Sequence, residues 1–225
     1  MNYHIITTQP NIYDSFLKTG LISRGIDKKI IEIDVHDLHD FSFDTHRSID
    51  DTPAGGGPGM VLCVDVVANA LKKLKAEVRK PKTVLLTPQG KKFTQDDAKR
   101  LAKIDNIILI AGRFEGYDER IRGLVDEEIS MGDFVLTSGD LPAQVLIDAT
   151  SRMIPGFIEK KASIAEESFE NNLLEYPQYT RPVEFEGKTI PEVLLSGNHG
   201  EVRNWRRNES EKRTKTRRPD LHEKI

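Results

Sequence analysis

The 225-residue chain has one cysteine, Cys63. One thiol excludes an intrachain disulfide and a cysteine-built metal site. Its place in the apolar run Met60-Val61-Leu62-Cys63-Val64 marks a buried structural thiol in a reducing compartment. Long apolar runs are also missing, since none approaches the roughly 20 residues of a membrane span. Residues 1–20 lack the basic start, apolar core and small-residue cleavage site of a signal peptide. These absences predict a cytoplasmic protein with no membrane partner. Excess charge of one sign is scarce too: the net charge of −3 excludes a chain that is basic throughout, although Arg203–Arg218 is locally basic. No serine nucleophile elbow, HExxH or Cys-His arrangement appears, and the Gly-rich loop lacks both the third glycine of a dinucleotide fingerprint and the Gly-Lys-Ser/Thr end of a P-loop.

What is present is a soluble composition, 37% hydrophobic and 31% charged, at a length that favours one large and one small domain. Tyr3–Thr7 and Lys29–Val35 read as strands around a helix over 12–21, the start of a parallel pair with a crossover. Residues 40–60 hold Thr52-Pro53-Ala54-Gly55-Gly56-Gly57-Pro58-Gly59, which forbids regular structure and predicts an ordered functional loop. Asp65 is the expected N-cap of a helix with Val67, Leu71, Leu74 and Val78 on one face. A strand follows over Thr83–Thr87 and ends at Pro88-Gln89-Gly90. Thr94 and Asp97 predict a capping box.

The stretch 107–152 organises the rest. Three apolar runs each end in a glycine-bearing break, at Gly112–Gly116, Ser130–Asp133 and Thr137–Asp140, before a helix with Leu141, Val145, Ala149 and Met153 as its packed stripe behind an Asp140 cap. Glycines let a backbone approach a ligand closely, and loops at the carboxyl ends of parallel strands converge on ligands. The expectation is a backbone-lined crevice. Residues 157–176 read as a linker, and 177–225 as a small helical domain.

The candidate polar groups are Arg113, Glu115, Asp118, Asp133, Asp140, Arg152, Glu167 and the His46-Arg47 pair. Arg152 reads equally as a cation complementing a helix C-terminus and as a functional group. Asp34, His36, Asp37, His39 and Asp40 read as a solvated loop before a metal site. The basic end, interleaved with His199 and Trp205, reads either as a solvated helix face or as a track for a phosphate backbone.

Seven ordered blocks carry a resemblance over nearly the whole chain: HRSIDDTPAGGGPGM at 46–60, LLTPQGKKF at 85–93, GRFEGYDER at 112–120, EEISMGDFVLTSGDLPA at 127–143, SRMIPG at 151–156, ESFENNLLEYPQYTRP at 167–182 and VLLSGNHGEVRNWRR at 193–207. The chain resembles the bacterial tRNA (guanine-N1)-methyltransferases of the SPOUT superfamily. The resemblance implies an α/β domain over 1–156, with a mostly parallel sheet and a deep trefoil knot, a linker over 157–176 and a helical tRNA-binding domain over 177–225. It implies a homodimer with a shared active site. The implied reaction moves a methyl group from S-adenosylmethionine to N1 of the guanosine 3′ of the anticodon in tRNAs with a preceding guanosine. A SPOUT enzyme acting on a ribose 2′-hydroxyl or another base is the alternative, and a silent RNA-binding module is a third reading.

For the methyl donor the resemblance implies Leu86, Thr87, Pro88 and Gly90, then Gly112, Phe114, Glu115 and Gly116, then Ser130, Met131, Gly132, Phe134, Leu136, Ser138 and Gly139, with Pro142 beyond. For the tRNA anticodon stem-loop it implies His46, Arg47, Asp50, Gly56, Gly57 and Gly59, with Arg181, Ser196, His199, Trp205 and Arg206. Glu167 stands where relatives carry an aspartate as general base, and Arg152 matches an arginine that holds charge on guanine O6. Ser138 replaces a frequent glycine and Ala54 a frequent aromatic residue. Magnesium is implied as well, with Glu115 and neighbouring acids near it.

Overall fold

A computed structural model describes residues 1–159 and 167–223. The chain divides into two compact units, 1–158 and 159–225. The first unit is built on a five-stranded sheet. Its strands are β1 (Asn2–Thr7), β2 (Glu32–Asp37), β5 (Lys82–Lys92), β6 (Asn106–Ala111) and β7 (Glu127–Ser130), in the order β2-β1-β6-β5-β7. Every pairing in it is parallel. Between β2 and β5 a small antiparallel pair, β3 (Asp50–Asp51) and β4 (Val61–Leu62), closes the base of the Gly-rich loop.

Both sheet faces are covered, which is why β5 and β6 read as unbroken apolar runs. Tyr3, Ile5, Leu86, Ile107 and Leu109 join one core cluster with Ala143, Leu146 and Ile147 of helix α5 (Asp140–Ser151). Ile6, Leu85, Ile108 and Ile110 point the other way, to Val66, Val67, Ala70, Leu71 and Leu74 of helix α3 (Val64–Glu77). The period of two along each strand sends alternate residues to opposite cores.

Local chemistry moved several boundaries. The helix expected over 12–21 is a 3-10 turn (Pro10–Tyr13), a short α1 (Asp14–Lys18) and α2 (Gly20–Asp27), broken where Thr19 turns extended at φ −127° and ψ 154°. The N-cap of α3 is Cys63; Asp65 falls in the first turn, where its carboxylate accepts from Val66 N–H at 2.9 Å. The capping box of α4 (Gln95–Leu101) forms as expected from Thr94 and Asp97. Gly139, not Asp140, caps α5. The stripe expected to pack is also turned outward: Leu141 and Val145 are 50% and 52% exposed, while Ala143, Leu146, Ile147 and Thr150 are buried. Phe134–Leu136 is an exposed loop segment rather than a strand. The second and third glycine breaks therefore lie in one loop, residues 131–139.

In the second unit, helix His199–Arg217 is capped by Asn198, whose side chain accepts from Gly200 and Glu201 N–H. Thr214 on that helix accepts from Leu174 N–H at 2.8 Å, and Arg213 donates to the Glu175 carbonyl at 3.2 Å. These bonds fasten the segment before it to the helix. A hairpin of β8 (Glu184–Phe185) and β9 (Lys188–Thr189) and a short helix, Glu192–Leu195, lie between.

Candidate active site

The loops that leave β5, β6 and β7 meet at the carboxyl ends of the strands and enclose a cleft of about 410 Å³. The first is a bulge inside β5. Leu86 and Lys91 both face Ile129 of β7, so the four residues between them loop out of the sheet. Gly90 sits where the bulge rejoins the sheet, and a Cβ there would come within 2.6 Å of Glu128 C and Ile129 N. Only glycine fits so close a backbone approach. The strand thus resumes beyond Pro88-Gln89-Gly90 instead of ending there.

The second loop, 112–118, is joined to the first by Tyr117. Its hydroxyl accepts from Gly112 N–H at 2.8 Å and donates to the Leu86 carbonyl at 2.9 Å. Burial raises the Tyr117 pKa, so the phenol keeps its proton. The loop is also stitched to the Gly-rich segment: Glu115 N–H donates to the Met60 carbonyl and Leu62 N–H to the Gly116 carbonyl. A Cβ on Gly59 would meet Glu115 Cγ at 2.3 Å, so the glycine leaves room for that carboxylate side chain.

The third loop is held at both ends. Lys92 of β5 bridges Asp133, and Gly139 N–H donates to the Gly112 carbonyl at 2.8 Å. A Cβ at Gly139 would stand 2.9 Å from Ala111 Cα. Asp140 anchors the same point from below. Fully buried, it accepts from Thr7 Oγ1 at 2.6 Å and Tyr13 Oη at 2.9 Å, a placement that suits a carboxylate in the first turn of α5. Burial, and then the Asp140 charge, raise the Tyr13 pKa and keep that donor protonated.

Of the residues expected around the donor, Leu86, Thr87, Pro88, Gly112, Phe114, Glu115, Gly116, Ser130, Met131, Phe134, Leu136, Ser138, Gly139 and Pro142 line the cleft. Gly90 and Gly132 shape its loops without lining it. Gln89 and Thr137, inside two of the expected loops, line it too, as do Tyr117, Glu119 and Arg122, which were not singled out in the sequence. Among the described residues no three acidic, histidine or cysteine side chains converge as a metal site.

Arg152 does not line this cleft. It caps the C-terminus of α5, bonded through its N–H to the Asp148 carbonyl. Pro142, at the other end of the helix, is a lining residue, and ten residues of helix put about 15 Å between the two positions. Along the helix Arg152 shares a face with Leu141, Val145 and Asp148, at the i, i+4, i+7, i+11 spacing of one side. Among the tRNA candidates of the first unit, His46, Gly56, Gly57 and Gly59 are exposed and Asp50 lies in β3. Arg47 bridges Asp40 and lies 3.4 Å from Asp37. In the second unit Arg181, Ser196 and His199 are exposed. Trp205 stands 6.3 Å from Tyr179, and Arg206 covers the Tyr176 ring at 4.6 Å. Glu167 is half-buried.

A doubly covered parallel α/β sheet with a pocket on three successive strand-end loops defines the class of cofactor-binding α/β enzymes. Comparison with known proteins narrows this: residues 1–224 match the family model described as tRNA (Guanine-1)-methyltransferase TrmD. Proteins named tRNA (guanine-N(1)-)-methyltransferase are 46% identical in Clostridioides difficile (100% of this chain, 98% of the relative), 48% in Thermosipho africanus (98% and 89%) and 47% in Clostridium novyi (100% and 92%). The chain belongs to the tRNA (guanine-1)-methyltransferase family.

Proposed function

We propose that the protein transfers a methyl group from S-adenosylmethionine to N1 of the guanosine 3′ of the anticodon, in tRNAs whose preceding residue is also guanosine, and that it acts in the cytoplasm as a homodimer. The observation that carries this reading is the one cleft formed together by the bulge in β5 and the loops after β6 and β7, in a chain that matches the family over residues 1–224. Its volume falls within the roughly 300–1,000 Å³ of small-molecule sites, and its mixed apolar and backbone lining suits an adenosine with a polar tail. When bound, S-adenosylmethionine supplies a methyl already activated on a sulfonium.

The chain's own residues then have three tasks. Backbone and apolar groups of the three loops hold the donor in line with the nucleophile, which is where positioning lowers a barrier most. Glu167 removes the proton that guanine N1 carries at neutral pH. Arg152 holds the charge that moves to O6, as an oxyanion donor does. The family's trefoil knot belongs to this reading; in this chain α5, which follows edge strand β7, packs against β6 and β1. Magnesium is given no step, and Glu115 and Glu119 are the carboxylates that line the cleft.

A homodimer is favoured by the outward face of α5. Leu141 and Val145 are exposed on a face that also carries Arg152, with Val135 83% exposed in the adjoining loop. In this reading the contact along that face is isologous and brings Arg152 of one copy toward the other copy's cleft. The basic, aromatic helix His199–Arg217 is assigned to the tRNA.

Labelled S-adenosylmethionine and unmodified tRNA, incubated with the protein and digested to nucleosides, should give the label as 1-methylguanosine. A 2′-O-methyl nucleoside would overturn the assignment. Glu167→Gln should lose roughly 10²–10⁴ in single-turnover rate while the donor still binds, and an unchanged rate removes Glu167 from the mechanism.

A further inference from the structure

Arg122 and Gln89 both line the cleft, and no step above uses them. Gln89 stands at the tip of the β5 bulge. Arg122 comes from the 3-10 helix Glu119–Leu124. Its Nη2 donates to Gln89 Oε1 at 2.6 Å, its Nε to Glu119 Oε2 at 2.9 Å, and its Nη1 to Glu128 of β7. Two carboxylates thus neutralise the guanidinium, so it brings little net positive field to the cleft.

Its remaining effect is directional. A guanidinium has donors only, so the atom of the amide that meets it is the oxygen. The Gln89 nitrogen is thereby turned the other way, and among the described residues it has no hydrogen-bond partner. An amide on a free loop offers either end to a ligand; an amide pinned through its oxygen offers two N–H groups only.

We infer that Arg122 is a positioning residue that makes Gln89 a fixed hydrogen-bond donor at the cleft, read by an oxygen acceptor of the bound methyl donor, a ribose hydroxyl or the amino-acid carboxylate. This rests on the S-adenosylmethionine reading of the cleft. Gln89→Ala and Arg122→Met should each weaken S-adenosylhomocysteine about fivefold by calorimetry on the full chain, as for one hydrogen bond lost, since the Glu119 and Glu128 carboxylates that Arg122→Met releases are both open to water. The double variant should lose no more than either single one, and the loss in turnover should fall on KM for the donor rather than on kcat.

The probe 5′-methylthioadenosine separates the two acceptors, because it keeps the ribose and lacks the carboxylate. Equal weakening of both probes assigns the ribose; weakening of S-adenosylhomocysteine alone assigns the carboxylate. If Arg122→Met does not fold, Arg122→Lys keeps a cation beside Glu128 while removing the fork, and the same loss is expected. Unchanged affinity in Gln89→Ala, or additive losses in the double variant, overturns the inference. A wild-type chain that binds no S-adenosylhomocysteine overturns the donor reading itself.

Discussion

At the scale of single residues, the cleft depends on a side chain whose polar group is turned to the loops themselves. Tyr117 spends its hydroxyl on the Leu86 carbonyl and the Gly112 N–H, the backbone groups that begin two of the three loops. Tyr117→Phe keeps the ring and strands both groups, and each buried unpaired backbone group costs about 1–3 kcal/mol. The denaturation midpoint should fall accordingly in urea, and donor affinity with it. An unchanged midpoint would mean that water replaces the hydroxyl at no cost. The roles of Tyr117 and Arg122 escaped the sequence for a common reason: the partner that decides each, Leu86 or Gln89, lies 31 or 33 residues away, and no local spacing announces such a pair. The glycines were legible because a tight approach demands glycine wherever its partner is.

At the scale of elements, what could be read was type more than facing. The α5 segment is apolar on two sides, and a period near four fits both. The buried side was fixed by Asp140, which bonds Thr7 and Tyr13 across 133 and 127 residues and turns Leu141 and Val145 outward. A polar residue read as a cap is thus a core anchor. The pair β1–β2 carries a second long-range polar contact, with its own consequence for pH. His4 Nδ1 stands 3.3 Å from His36 Nε2, the rings stacked at 5.6 Å, with Asp34 3.4 Å from His4. Burial lowers the pKa of both below 6.5, and at His36 the neighbouring His4 lowers it further, against the opposing charges of Asp34 and Glu77. A base with a depressed folded-state pKa is protonated first in the unfolded chain, so this stability is present at neutral pH and lost as pH falls below about 6.5. The melting temperature should drop between pH 7.5 and 5.5, and His36→Phe, which keeps a stacked ring but removes one titrating group, should flatten the slope. An identical slope in the variant would assign the acid loss to other groups.

At the scale of the whole molecule, the arrangement within the first unit separates parts that the proposed chemistry joins. The cleft opens at the N-terminus of α5 and Arg152 caps its C-terminus, about 15 Å away along a rigid helix. A helix of this kind does not bend back on itself, so in the proposed homodimer an Arg152 that acts at a cleft acts at the other copy's. Ser138→Trp fills the cleft and should abolish donor binding, and Arg152→Ala should leave donor binding intact while abolishing transfer. Neither variant is active alone. Subunit exchange between them makes mixed dimers in which one site carries both substitutions and the other carries neither. Random pairing makes half the dimers mixed, each with one intact site of two, so about a quarter of wild-type turnover should return on mixing, as a two-fold shared site requires. If Arg152 served its own cleft, every site in the mixture would keep one defect and no activity would return. A sedimentation measurement showing monomers throughout would overturn the shared site as well, because the outward face of α5 would then have no copy to meet and Arg152 no cleft to serve.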